Sequence, residues 1–86
     1  MTNTQTETLT GYLLRVRPDT EADMEAALTA VAIDMTAAQA LRRDARALDD
    51  QRVELVRRHA RPEVIERISE DLTYLRRALE HLEVEP

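Results

Sequence analysis

The clearest pattern in the chain is a row of apolar residues at alternating spacings of three and four near its C-terminal end. This spacing is typical of an α-helix that buries one face, as the a and d positions of a coiled coil do. The row consists of Ile65, Ile68, Leu72, Leu75, Leu79 and Leu82. A second row with the same alternation consists of Ala38, Leu41, Ala45, Leu48, Arg52 and Leu55. We call the two rows together the seam.

The two rows of the seam mirror each other about residue 60. Folding the chain back at this point places Leu48 opposite Leu72 and Leu41 opposite Leu79. Pro62 suits the first position of a helix, where its missing N–H costs nothing. The sequence therefore predicts an antiparallel helical hairpin, with helices over about 37–59 and 62–83.

The charge pattern agrees with this fold-back. Residues 36–61 contain seven arginines and four acids, whereas residues 62–86 contain three arginines and seven acids. We expect the basic helix to lie along the acidic one. Arg52 interrupts the seam, and two interpretations stay open. Its aliphatic stem packs while the guanidinium reaches Glu66 or Glu70, or it is a polar group that fixes the register or contacts a partner.

A shorter helix is predicted before the hairpin, over about 19–33 within a segment that extends to residue 35. Asp19 or Thr20 can cap it, and its apolar stripe is Met24, Leu28, Val31 and Met35. Thr36 followed three residues later by Gln39 has the form of a capping box, which predicts a new helix start and a hairpin segment over 36–83. One continuous helix from 19 to 60 is the alternative.

The N-terminal segment carries a different pattern. Tyr12, Leu14 and Val16 alternate with Leu13, Arg15 and Arg17, and Pro18 follows. This alternation predicts a strand or an extended arm over 9–18. Whether it pairs with a partner's sheet or packs on the bundle stays open. Residues 1–8 are polar and rich in threonine, which predicts disorder. The expected fold class is therefore all-α, with one small domain over 9–86.

Composition limits the core and indicates what the chain needs. The 86 residues include neither Phe nor Trp, so a core of Leu, Ile, Val, Met and Ala is thin at this size. We expect a protein partner or homo-oligomerisation to complete it. The candidate surface consists of residues beside the seam, namely Val53, Val56, Val64, Tyr74 and Ala78.

The chain offers little for chemistry. It has two histidines, His59 and His81, one serine and one glycine, and it has no cysteine. These residues do not form a triad, a zinc or di-iron pattern, or a phosphate loop. Neither a membrane span nor a leader is evident, so a cytoplasmic location is expected. We predict a non-catalytic protein-interaction or assembly module without cofactor, metal or catalytic residue.

A second hypothesis comes from the segment that precedes the hairpin. Leu14-Arg15-Val16-Arg17-Pro18, the helix after it, and Thr36-Ala-Ala-Gln-Ala-Leu-Arg-Arg43 together resemble a ribbon-helix-helix protein. The resemblance implies a DNA-binding regulator or an antitoxin, with an acidic C-terminal helix that holds a partner. It would put Leu13, Arg15 and Arg17 into the major groove. The net charge of −5 opposes non-specific binding to DNA.

Overall fold

The computed structural model describes residues 7–31 and 33–83, and in these ranges it contains four helices and no strand. They are α1 (Leu9–Val16), α2 (Glu21–Thr29), α3 (Met35–Arg57) and α4 (Pro62–Glu83). The long helices α3 and α4 pack along each other, α1 contacts both of them, and α2 contacts α4. The predicted all-α fold and the predicted hairpin are confirmed.

The turn between α3 and α4 is a Schellman motif. The N–H of Ala60 donates to the carbonyl of Leu55 over 3.0 Å, and the N–H of His59 donates to the carbonyl of Val56 over 3.1 Å. His59 has a φ of 58°, the left-handed conformation that this motif requires at its first residue after the cap. Helix α4 then begins at Pro62, as predicted.

The core lies at the end of the hairpin away from the turn. We call residues 35–48 and 71–83 the open half and residues 49–70 the tip half. The largest fully buried side chains are Leu13, Met24, Leu41 and Leu75. They come from all four helices, because α1 and α2 lie over the open half and supply Leu13 and Met24. Ala45, Leu72 and Ala78 complete this cluster.

The extended arm predicted over 9–18 is wrong, because residues 9–16 form α1. Thr8 caps this helix by accepting a hydrogen bond from the N–H of Gly11 over 3.0 Å. Leu9, Tyr12, Leu13 and Val16 follow helical spacing as well as Tyr12, Leu14 and Val16 follow strand spacing. Short apolar runs are ambiguous in this way, and the burial of Leu13 against the hairpin favours the helix.

The predicted break before the hairpin is confirmed, although the helix ends differ. Helix α2 ends at Thr29, before the predicted end near residue 33, and its cap is Thr20. Asp34 caps α3 by accepting from the N–H of Ala37 over 2.8 Å, so the predicted capping box at Thr36 is wrong. Met35 is 75% exposed, because it begins α3 and does not extend the stripe of α2.

Of the tail predicted as disordered, residues 1–6 lie outside the described residues. The other two, Glu7 and Thr8, lie just before α1 and make contacts with it, so they are ordered rather than disordered. Thr8 is its cap, and the Glu7 carboxylate accepts from the Arg15 Nε over 2.8 Å. This ion pair lowers the pKa of the Glu7 carboxyl.

Arg17 and Tyr74 join the N-terminal helices to α4. Arg17 ends α1 with a φ of 52°, and its guanidinium donates to Asp71 and Glu70 at 3.1 Å each. The same guanidinium lies 4.9 Å from the centre of the Tyr74 ring, within the range of a cation–π contact. The Tyr74 hydroxyl donates to the Asp19 carboxylate over 2.8 Å. We call these four contacts the Arg17 clamp.

Candidate protein-interaction surface

The seam residues are buried unequally along the hairpin. In the open half Leu41, Leu72 and Leu75 are buried, whereas Leu48, Leu79 and Leu82 are half-buried around them. In the tip half Ile68 is buried, and Leu55 and Ile65 are only half-buried. A hairpin alone therefore leaves part of its seam accessible, and the N-terminal helices cover it at one end only.

Arg52 does not bridge the two helices as one interpretation expected. Its guanidinium donates to Asp49 of the same helix over 3.0 Å, and its side chain is about one third exposed. The predicted reach to Glu66 or Glu70 is wrong, because an acid three residues earlier on α3 is closer. Whether Arg52 contacts a partner stays a prediction.

The tip half exposes three large apolar side chains. Val53, Val56 and Val64 are 44%, 47% and 45% exposed. We call these residues the tip valines. Each square ångström of their apolar surface that stays in water forgoes the stabilisation that burial would give. The other two exposed large apolar residues of the described chain are Val16 on α1 and Met35 at the start of α3, so three of the five lie in the tip half.

Two sides of the hairpin can be distinguished by their contacts. On one side the N-terminal helices bind through Thr10 to Asp44 at 2.6 Å and through Arg17 to Asp71. On the other side two ion pairs cross between the long helices. They join Arg42 to Glu83 at 2.6 Å and Arg76 to Asp49 at 3.4 Å. We call this second side the ion-pair face.

Helical spacing assigns the tip valines to these sides. Asp49, Val53 and Val56 are separated by four and three residues and therefore share one face of α3. Val53 and Val56 thus continue the ion-pair face into the tip half. Val64 lies on the opposite side of the seam, where it lines a groove of about 530 Å³ with Leu48, Leu55 and Ile68 among others.

Two residues of the candidate surface are occupied within the chain. Ala78 is fully buried in the core, so its prediction as part of an exposed surface is wrong. Tyr74 is half-buried and belongs to the Arg17 clamp. Its hydrogen bond to the Asp19 carboxylate raises the pKa of the Tyr74 phenol, because ionisation would remove the donated proton beside a negative charge.

The residues expected to contact DNA under the second hypothesis do not form a strand face. Leu13 is fully buried in the core. Arg15 pairs with Glu7 and Arg17 with Asp71, and these contacts raise the pKa of both arginines. The strand on which the ribbon-helix-helix resemblance depends is a helix here, and contact of these residues with DNA stays a prediction.

A second concave region lies at the N-terminal end of α3. It measures about 380 Å³ and is lined by residues of α1, the α2–α3 connection and the first turns of α3. The three acidic side chains of its lining already have partners in the chain. Asp44 accepts from Thr10, Asp34 caps α3, and Glu7 binds Arg15. Because these three carboxylates are already paired, they do not indicate a ligand site.

The two histidines lie in different parts of the hairpin, one in the turn and one in the last turn of α4. His59 is exposed in the turn, and His81 lies 2.6 Å from the Glu21 carboxylate. Within residues 7–31 and 33–83, no three histidines or acids are grouped so that they could hold a metal ion. In the same ranges no helix is both long enough and apolar enough to span a membrane.

Sequence reasoning found the opposite charges of the two helices but did not show that, within the described residues, the arginines of the tip half do not pair across the hairpin. Residues 51–61 contain four arginines and one glutamate, and residues 62–71 contain four acids and one arginine. Four of the five tip arginines pair within their own helices, as Arg58 does with Glu54 at 3.1 Å and Arg67 with Asp71 at 3.7 Å. The signal was present in the sequence, but only the structure separates the crossing pairs of the open half from the tip half.

No known protein-family model matches the chain, and neither a curated protein nor a solved structure shows significant similarity to it.

Proposed function

We propose that this chain is a non-catalytic protein-interaction or assembly module that acts through self-association and an apolar helical surface. The surface consists of the tip valines together with the half-buried seam residues Leu55 and Ile65. A second copy or another protein would cover it, as α1 and α2 cover the open half.

One observation supports this proposal above the others. The same seam is covered by two helices at one end and left accessible at the other. Val53 and Val56 share one face of α3 and are almost half exposed, and burying them is favourable by roughly 25 cal/mol for each square ångström. Exposed apolar groups on one face are typical of protein contacts, and aliphatic helix faces commonly dock on other helices.

A cytoplasmic location and the absence of catalysis are part of the proposal and stay predictions. The second hypothesis, a DNA-binding regulator, is not carried forward because no contact in the fold favours it.

A photo-crosslinking experiment in the native cell tests whether the tip half contacts protein. The variant carries a photoreactive phenylalanine analogue in place of Val53. The matched control carries the same analogue in place of Ala47, which is also exposed on α3 but lies on a different face of that helix, six residues from Val53. We expect protein adducts from position 53 and few from position 47.

The identity of the adducts then shows which molecule covers the surface. Adducts to the chain itself support self-association, and adducts to one other protein support docking on a different partner. Equal yields from both positions, or no protein adducts from position 53, would contradict the proposed interaction surface.

A further inference from the structure

The ion-pair face of the hairpin combines apolar residues of both long helices in the tip half. Val53 and Val56 of α3 lie on it beside Ile65 and Ser69 of α4, since residues 65, 69, 72 and 76 share one side of α4 by their spacing. Ile65 and Ser69 are half-buried. The N-terminal helices bind the opposite side, so they do not obstruct this face.

Two charged residues flank the apolar part of this face. Arg57 lies one helical turn after Val53, and Glu66 lies one turn before Ser69. Both are exposed. Arg57 has a distant contact of 3.9 Å with Glu54 of its own helix. The face is therefore bordered by a positive charge on the α3 side and a negative charge on the α4 side.

We propose that a second copy of this chain covers the ion-pair face, with the two-fold axis parallel to the long helices. This arrangement rests on the proposed function and specifies its partner. It brings α3 of one copy against α4 of the other. Val53 and Val56 then pack against Ile65 and Ser69, and Arg57 faces Glu66 of the second copy.

Charge favours this arrangement over a dimer whose two-fold axis is perpendicular to the helices. With the axis perpendicular to the helices, α3 would face α3 and the arginine-rich segments 51–61 would meet. Like charges at close range are unfavourable. With the axis parallel, segment 51–61 meets the acidic segment 62–71 twice, because an isologous interface uses every contact twice. Ser69 is small, which allows the helices to approach closely, and the product is a four-helix core.

Sedimentation equilibrium of the full chain at low salt tests the arrangement. We expect a monomer–dimer equilibrium for the natural sequence. Val53→Asp places a charge in the centre of the interface and should leave a monomer. Val64→Asp makes the same change at an equally exposed valine on the opposite side of the seam and should not alter the dissociation constant. Far-UV circular dichroism checks that all variants stay helical.

Charge reversal tests the orientation. Arg57→Glu creates two Glu–Glu contacts in the dimer, and Glu66→Arg creates two Arg–Arg contacts. Exposed ion pairs contribute little singly, but the two-fold repeats the pair, so each variant loses two attractive contacts and should weaken the dimer about tenfold. The chain with both changes should recover the affinity, and an equimolar mixture of the two single variants should form heterodimers.

Three results would overturn the inference. They are a natural chain that stays monomeric at millimolar concentration, a dimer that tolerates Val53→Asp as well as Val64→Asp, and a doubly reversed chain no tighter than the single variants. The proposed function fails separately. If the chain is monomeric but position 53 still crosslinks to another protein in the cell, the interaction surface stands and only the second copy is excluded.

Discussion

The open half and the tip half of the hairpin use the same alternation of apolar residues but reach different degrees of burial. In the open half Leu41 and Leu75 have no exposed surface, since Leu13 of α1 and Met24 of α2 pack in the same cluster. No tip-half residue belongs to this buried cluster, to which α1 and α2 contribute. In the tip half Leu55 and Ile65 are half-buried, and the tip valines are exposed.

This difference teaches that a two-helix seam is not by itself a complete core. Each helix of an isolated pair buries one stripe, and the flanks of that stripe need a third element. The short helices α1 and α2 provide it for the open half, and the Arg17 clamp holds them on α4. We infer that the open half supplies most of the stability of the monomer and that the tip half is free for contact.

The largest expected effect tests the unequal contributions of the two halves. Leu75→Ala removes a fully buried side chain and should lower the free energy of unfolding by about 2–5 kcal/mol. Leu55→Ala, at a half-buried seam position in the tip half, should lower it by about 1 kcal/mol. Urea denaturation followed by circular dichroism measures both changes. Equal losses would contradict the comparison, provided that both proteins are monomeric during the measurement.

The turn at the end of the tip half offers a stabilising change. His59 is exposed and has a φ of 58°, a conformation that glycine adopts without the crowding of a Cβ. His59→Gly should raise the free energy of unfolding by about 1 kcal/mol. Thermal denaturation at a pH near 7 measures it. The control is Arg58→Gly, one residue earlier at a negative φ of −87°, where glycine should not stabilise.

The Arg17 clamp predicts a pH dependence that belongs to the covered half. The pKa of Tyr74 is raised in the folded chain, mainly by its hydrogen bond to Asp19. A group with a raised folded pKa contributes stability below its unfolded pKa and loses that contribution as the pH rises through the folded pKa. The free energy of unfolding should therefore fall above pH of about 10, the usual tyrosine value.

Tyr74→Phe removes this titration. The variant should be less stable than the natural chain at pH 7, and its stability should fall less steeply in the alkaline range. Denaturation curves collected at several pH values measure the two slopes. Tyr12→Phe is the matched control, because the Tyr12 hydroxyl donates to a backbone carbonyl, that of Ala27, over 3.2 Å. An unchanged alkaline slope in Tyr74→Phe would contradict the role of the clamp.

The smallest expected effect concerns the ion pairs that cross the open half. Arg42 and Glu83 are separated by 2.6 Å, but both side chains are more than half exposed. Exposed pairs of this kind contribute little, so Arg42→Gln should change the free energy of unfolding by less than about 0.5 kcal/mol. The same denaturation assay measures it. A loss above 1 kcal/mol would mean that crossing ion pairs stabilise the open half substantially.

The hairpin could be predicted from the sequence because its determinants are local and repeated. The alternation of three and four residues continues over six positions in each long helix, and Pro62 marks the start of the second. A repeated period excludes other secondary structures progressively with each turn. The bounds predicted for α4 agree with the structure, and those predicted for α3 differ by two residues at each end.

The N-terminal segment could not be assigned in the same way. Eight residues with four or five apolar positions fit both a helix and a strand, and only the position of Leu13 between α3 and α4 favours the helix. The exposure of the candidate surface was predicted correctly for only some of its residues. Val53, Val56 and Val64 are exposed, but Ala78 is buried, because helical spacing alone does not reveal which flank of a seam a third element covers.

The sequence by itself therefore determined the helical hairpin, its turn near residue 60 and the opposite charges of its two helices. The tertiary structure decided where α1 and α2 pack, which side of the seam they cover and which apolar residues stay in contact with water. The physical reason is that helix formation and fold-back follow short-range periodicity. The covering of a flank depends on the shape and burial of residues far apart in the chain, as the contact of Arg17 with Asp71 illustrates.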